Sequence, residues 1–146
     1  MPALDIHHVA IKTADIDATV KFYNEVLGSH SVPRPPFDFP GAWLSLGSTM
    51  FHIYGGDAAK DNAGQYQRGG AAVDHIALAA ADFAGMKKRL DEVGLEWRQN
   101  DIPPAGLWQL FVHDPSGVLI ELNFEIAKEP KGTGPDGTKT YVAGKF

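Results

Sequence analysis

Cysteine is absent from all 146 residues. Disulfides, thiolate ligands and cysteine nucleophiles are excluded, and any bound metal must be held by His, Asp or Glu. No apolar run approaches the roughly 20 residues of a membrane span, and the N-terminus shows no signal-peptide pattern, so a cytoplasmic setting is expected. Clusters of Lys and Arg are missing too. The 13 basic and 18 acidic residues leave a net charge of −5, with a pI near 5.6. Neither nucleic acid nor an anionic membrane is an expected partner. The glycine-rich "GGAAVDH" lacks P-loop spacing, which argues against a phosphate cradle. What is present is ordinary for a folded domain: 44% apolar and 21% charged residues, enough for one compact unit or two small halves.

The chain repeats itself. Displaced by 67 positions, residues 8–26 face residues 75–93 with seven identities in nineteen, among them His8/His75, Asp15/Asp82 and Glu25/Glu92. Chance would give about one, so an internal duplication organises the chain. In each copy a short β-prone run ("HHVAIK", "DHIALA") leads to an aspartate suited to cap a helix. An amphipathic stretch follows, with Ile16, Val20, Tyr23 and Leu27 in the first copy and Phe83, Met86 or Lys87, and Leu90 in the second. Gly28 and Gly94 are helix stops. Two hairpins are expected next, "AWLSLG" with "TMFHIYG" and "LWQLFV" with "VLIELNF". Each copy therefore reads β-α-β-β-β, module 4–56 and module 72–125, together spanning 4–125. The remainder, 127–146, has three glycine breaks and little periodicity, and reads as a loose or partner-wrapped tail.

Strand alternation places the polar residues. Val9 and Ile11 belong under the helix, so His8 and Ala10 take the other face, as do His75 and Ala77. "DPSG" at 114–117 suits a type I turn closed by a left-handed glycine. That turn sets Phe111 opposite Glu121 and Gln109 opposite Asn123, while a two-residue loop at Gly47-Ser48 sets Trp43 opposite His52, with Tyr54 on the same face. The repeat thus matches His8 with His75 and His52 with Glu121. Two copies packed about a pseudo-two-fold axis would bring three imidazoles and one carboxylate together, and a carboxylate inside "VLIELNF" is costly to bury without a partner. His7 is expected to face away, and His30 and His113 to lie in solvated loops. Trp43, Tyr54 and Phe111 are candidate substrate-lining residues.

The stretches "HHVAIKTADIDATVKFYNEVLG", "RPPFDFPGAWLSLGSTMFHIYGG", "VDHIALAAADFAGMKKRLDEVG" and "QLFVHDPSGVLIELN" resemble the vicinal oxygen chelate superfamily: glyoxalase I, bleomycin-resistance proteins, fosfomycin-resistance enzymes, methylmalonyl-CoA epimerase and extradiol dioxygenases. The resemblance implies an α+β, glyoxalase-like fold in which two βαβββ modules pair into an open, cup-shaped sheet around a divalent metal. The implied ligands are His8, His52, His75 and Glu121; three-ligand members keep the positions of His8, His75 and Glu121. Zn, Ni, Co, Mn and Fe(II) all suit imidazole and carboxylate donors. A homodimer is also implied.

The resemblance implies a metal that binds two neighbouring substrate oxygens. Ring-cleaving members carry a tyrosine where this chain has Phe111, and a histidine base upstream that "RQNDIPPAGLW" lacks. The expected function is therefore a metal-dependent lyase or isomerase acting on a small substrate. Glu121 serves as ligand and displaceable base, Tyr54 joins it in catalysis, and Gln109 and Asn123 orient the substrate. The alternatives are an Fe(II) extradiol-type dioxygenase and a metal-free, bleomycin-resistance-like binding protein.

Overall fold

The computed structural model describes residues 3–146. Both repeats begin with the expected strand, β1 (His8–Lys12) and β5 (Ile76–Ala80). Both strands lead to a capping aspartate. Asp15 accepts the Ala18 N–H at 3.0 Å to start α1 (Ile16–Lys21), and Asp82 accepts the Gly85 N–H at 3.0 Å to start α2 (Phe83–Glu92). Three further strands complete each repeat: β2 (His30–Val32), β3 (Gly41–Leu46) and β4 (Thr49–Tyr54), then β6 (Arg98–Ile102), β7 (Leu107–His113) and β8 (Leu119–Glu125). The sheets have equivalent orders, β1-β4-β3-β2 and β5-β8-β7-β6, with one parallel pair in each. This is the α+β arrangement of two βαβββ modules.

The two hairpins have the register that their turns dictate. Trp43 pairs with His52, Phe111 with Glu121, and Gln109 with Asn123. At the second turn the Asp114 carboxylate accepts the Ser116 N–H at 2.8 Å, and Gly117 takes a φ of 79° that a side chain would resist.

Two compact units result. One is the chain up to Gly69 together with Asp114–Gly117, and the other is Gly70–His113 with Val118–Phe146. In the first, Phe51, Ile53 and Leu44 are fully buried beneath α1 and its continuation, and the buried Tyr23 hydroxyl donates to Asp114 at 2.8 Å. In the second, Phe83 and Leu90 of α2 lie in a core with Leu110, Ile120 and Phe124. No helix among the described residues is long and apolar enough to cross a membrane.

Three expectations are corrected. First, α1 runs on as a π-helical turn, Phe22–Val26, with the Leu27 N–H reaching Phe22 O at 3.3 Å. Tyr23 is buried as expected, and the wider turn brings Phe22 and Val26 into the core beside it; Thr19 is buried as well, while Ile16, Val20 and Leu27 are half-buried. Second, His30 opens β2 and His113 ends β7, where its ring lies 4.5 Å from Phe146; neither is in a loop. Third, the tail is not loose. The Gln99 N–H donates to Lys139 O at 2.8 Å, and the Tyr141 N–H returns to Gln99 O at 3.0 Å, so the tail continues the sheet beside β6. The Gln99 side chain, 2% exposed, donates at 2.8 Å both to Asp136 Oδ1 and to Thr138 O. Gly134 packs so closely on Trp108 that any larger residue would displace the indole.

Candidate functional site

In the first unit, β1 and β4 carry His8 and His52 on one face. The His8 and His52 rings stack at 3.8 Å, and Trp43 covers the other side of His52 at 4.3 Å with an interplanar angle of 6°. His52 is 7% exposed, and its buried Nε2 has no hydrogen-bond partner. Burial, followed by the charges of His8, His7 and Arg34, depresses its pKa, so the ring stays neutral and keeps a lone pair. His7 does not stand apart: its Nδ1 lies 2.9 Å from His8 Nδ1. Imidazole lone pairs lie in the ring plane, and two stacked rings aim theirs in parallel. Ligation of one ion by both therefore requires the exposed His8 ring to turn.

In the second unit, the Asp74 carboxylate meets His75 Nδ1 at 2.8 Å, leaving Nε2 directed at Glu121 Oε2, 3.6 Å away. This carboxylate–imidazole pairing fixes a tautomer whose Nε2 is free to ligate. Glu121 is steadied from both sides. Gln109 Nε2 donates to its Oε1 at 2.9 Å, and Asn123 Nδ2 donates to its Oε2 at 3.1 Å. Gln109 also reaches Asn123 Oδ1 at 3.1 Å. The two amides expected to orient substrate are thus engaged with Glu121 itself.

Phe111 is buried opposite Glu121, as the register requires, and a second aromatic ring packs on it. Tyr141, from the tail, stacks on it at 3.6 Å and 8°. Burial, then the charges of Asp74 and Glu121, raise the pKa of Tyr141 and hold its phenol protonated. Sequence reasoning missed Tyr141 because no pattern links it to Phe111, thirty positions earlier. Tyr54 faces the same side as His52 and packs on Phe39 at 4.8 Å.

Among the described residues no three His, Asp or Glu side chains already form a metal-binding group. The candidates occur as one pair in each unit. The donor set nonetheless suits a divalent cation: His52 has an orphaned buried nitrogen, and His75 and Glu121 are each held by a further polar side chain.

The model of the glyoxalase/bleomycin resistance protein/dioxygenase superfamily matches residues 5–122. The chain belongs to this superfamily. Among curated members, Glyoxylase I 4 of Arabidopsis thaliana is 27% identical over 131 residues, covering 80% of this chain and 68% of that protein. Mitochondrial methylmalonyl-CoA epimerase of Mus musculus is 30% identical over 131 residues, covering 80% and 71%. The crystal structure of lactoylglutathione lyase from Agrobacterium tumefaciens superposes with a TM-score of 0.63 at 21% identity, covering 85% of this chain and 96% of that one, which shows a shared fold. The superfamily match ends at residue 122, so Tyr141 lies outside it.

Proposed function

We propose that this superfamily member is a metal-dependent lyase or isomerase, with His8, His52, His75 and Glu121 as ligands of one divalent cation. The observation that carries the reading is the Asp74–His75–Glu121 arrangement, in which Asp74 holds the His75 tautomer and Glu121 is fixed by two amides. The cation, when bound, would supply Lewis-acid stabilisation to two neighbouring substrate oxygens. Glu121 takes the proton from the carbon next to a substrate carbonyl, acting as general base. Gln109 and Asn123 keep its carboxylate from rotating, and Tyr141, protonated, donates a hydrogen bond to the oxygen on which charge accumulates. Similarity to a glyoxalase I and to methylmalonyl-CoA epimerases supports this class.

A test that does not require product identification is loss of the α-proton in deuterium oxide, followed by proton NMR. The probes are methylmalonyl-CoA and the glutathione–methylglyoxal hemithioacetal. Exchange with one of them, abolished by a chelator and by Glu121→Gln, is the expected result. Absence of exchange in metal-loaded protein would overturn the reading. The tail tyrosine favours one competitor, an Fe(II) dioxygenase, because it supplies the hydroxyl that Phe111 lacks. Oxygen uptake with catechol under reconstituted Fe(II) would select that competitor.

A further inference from the structure

The segment "PRPPFDFP", residues 33–40, holds four prolines in eight positions. Each fixes its own φ near −65° and restricts the residue before it, so this loop loses little freedom when a ligand orders against it. The loop presents a series of rings that continues from His52. Trp43 stacks on His52, Phe37 approaches Trp43 at 6.2 Å, Phe39 stacks on Phe37 at 5.7 Å and 15°, and Tyr54 closes the row on Phe39 at 4.8 Å. Large apolar rings do not usually stand open to water in such a row, yet Phe37 is 46% exposed.

Arg34 lies over this wall. Its guanidinium carbon is 5.0 Å from the Phe37 centroid and 4.9 Å from that of Phe39, and Nη2 donates to Phe39 O at 2.9 Å. One donor of five is thereby used and the plane of the group is fixed. The loop's own carboxylate, Asp38, is exposed and forms no ion pair with Arg34; among the described residues no carboxylate does. A cation oriented on aromatic faces, with spare donors and without a counter-ion in a chain of net charge −5, is suited to an anion from outside.

We propose that the wall formed by Trp43, Phe37 and Phe39 with Arg34 is a binding subsite for a small organic anion with a flat aromatic body. The rings cover the body and the guanidinium takes the carboxylate in a bidentate grip. This rests on the functional reading and adds an anchoring point beside that site: the wall holds a flat anionic portion of a ligand, with the reacting oxygens toward His52. Its test does not depend on the metal.

The test uses chelator-treated protein and ligand-observed NMR titration with 2-naphthoate, with 2-naphthalenemethanol of similar shape but no charge, and with cyclohexanecarboxylate, charged but not flat. Naphthoate should bind about tenfold more tightly than either analogue, as one charge-assisted bidentate contact and one stacked face would each give. Arg34→Gln should bring naphthoate down to the affinity of the alcohol, and Phe37→Ala should weaken both naphthalene probes while leaving the charge preference intact. Equal affinities for naphthoate and the alcohol in the unmodified protein would overturn the proposal, even if Arg34→Gln fails to fold. Repeating the titration in His75→Ala separates the two readings: retained naphthoate binding with lost metal supports the subsite alone, and loss of discrimination in all forms refutes it whatever the metal does.

Discussion

Asp74 is exposed, carries no catalytic proton and is nonetheless the residue on which His75 depends. With its carboxylate 2.8 Å from Nδ1, the imidazole presents Nε2 in one tautomer and one orientation. Asp74→Asn replaces a charged acceptor by an amide that can turn either end to the ring. Affinity for Zn²⁺ should fall by about 10- to 100-fold, measured by competition with a chromogenic chelator. His75→Ala should abolish stoichiometric binding, whereas unchanged affinity in both variants would remove His75 from the ligand set. At the same scale Tyr141→Phe keeps the stack on Phe111 and deletes only the hydroxyl. Its α-proton exchange rate should drop by about 10- to 100-fold, with KM and Zn²⁺ affinity little altered, which is the pattern of a donor that acts as charge develops.

The elements that the sequence made legible are those fixed by short-range rules. Aspartate caps, glycine stops and the "DPSG" turn each act within a few residues. The turn alone sets the pairing that faces Phe111 to Glu121 and surrounds Glu121 with Gln109 and Asn123. The helix face was harder to read, because the π turn at Phe22–Val26 breaks the 3.6-residue period on which any such reading rests. The tail was hidden for another reason. It adds to β6 through the backbone of a single residue, Gln99, and its side-chain anchors are scattered, so no periodicity marks it. Asp136 closes a turn within the tail and links that turn to β6 through the Gln99 amide. The Thr138 hydroxyl, then the Thr138 backbone N–H and the Gln99 amide, depress its pKa to about 2. A carboxylate depressed on folding stabilises the docked form above its unfolded pKa of about 4, and that contribution disappears as pH falls through the folded value. Tryptic cleavage after Lys139 is therefore expected to be slow near neutral pH. Amide exchange of Gln99 and Tyr141 should quicken, relative to the intrinsic rate, between about pH 4 and pH 2. In Asp136→Asn that added acid sensitivity should vanish, and Gln99→Leu should expose Lys139 to trypsin at neutral pH while the cores stay folded.

For the whole molecule, duplication gives each unit its own core and its own pair of candidate ligands, with the same strand order in both. Family resemblance, rather than any sheet edge or patch, is the basis for expecting a homodimer. Light scattering at micromolar concentration should return twice the 15.8 kDa of one chain, and a monomer mass would refute the expectation. Because the tail is committed to its own chain through Gln99, truncation before residue 127 should leave that mass ratio unchanged.

The placement of Tyr141 has an evolutionary consequence. The duplicated frame is constrained twice over, since a change in either copy must still suit the strand pairing and core around it. The twenty residues from 127 onward lie beyond the residues that the superfamily model matches and are held by scattered anchors, Gln99 of β6 and Trp108 and Phe111 of β7 among them. A hydroxyl delivered from there can be acquired, moved or lost without renegotiating the frame. On the role proposed for Tyr141, an assignment drawn from residues 5–122 alone would overlook the hydroxyl that the tail carries.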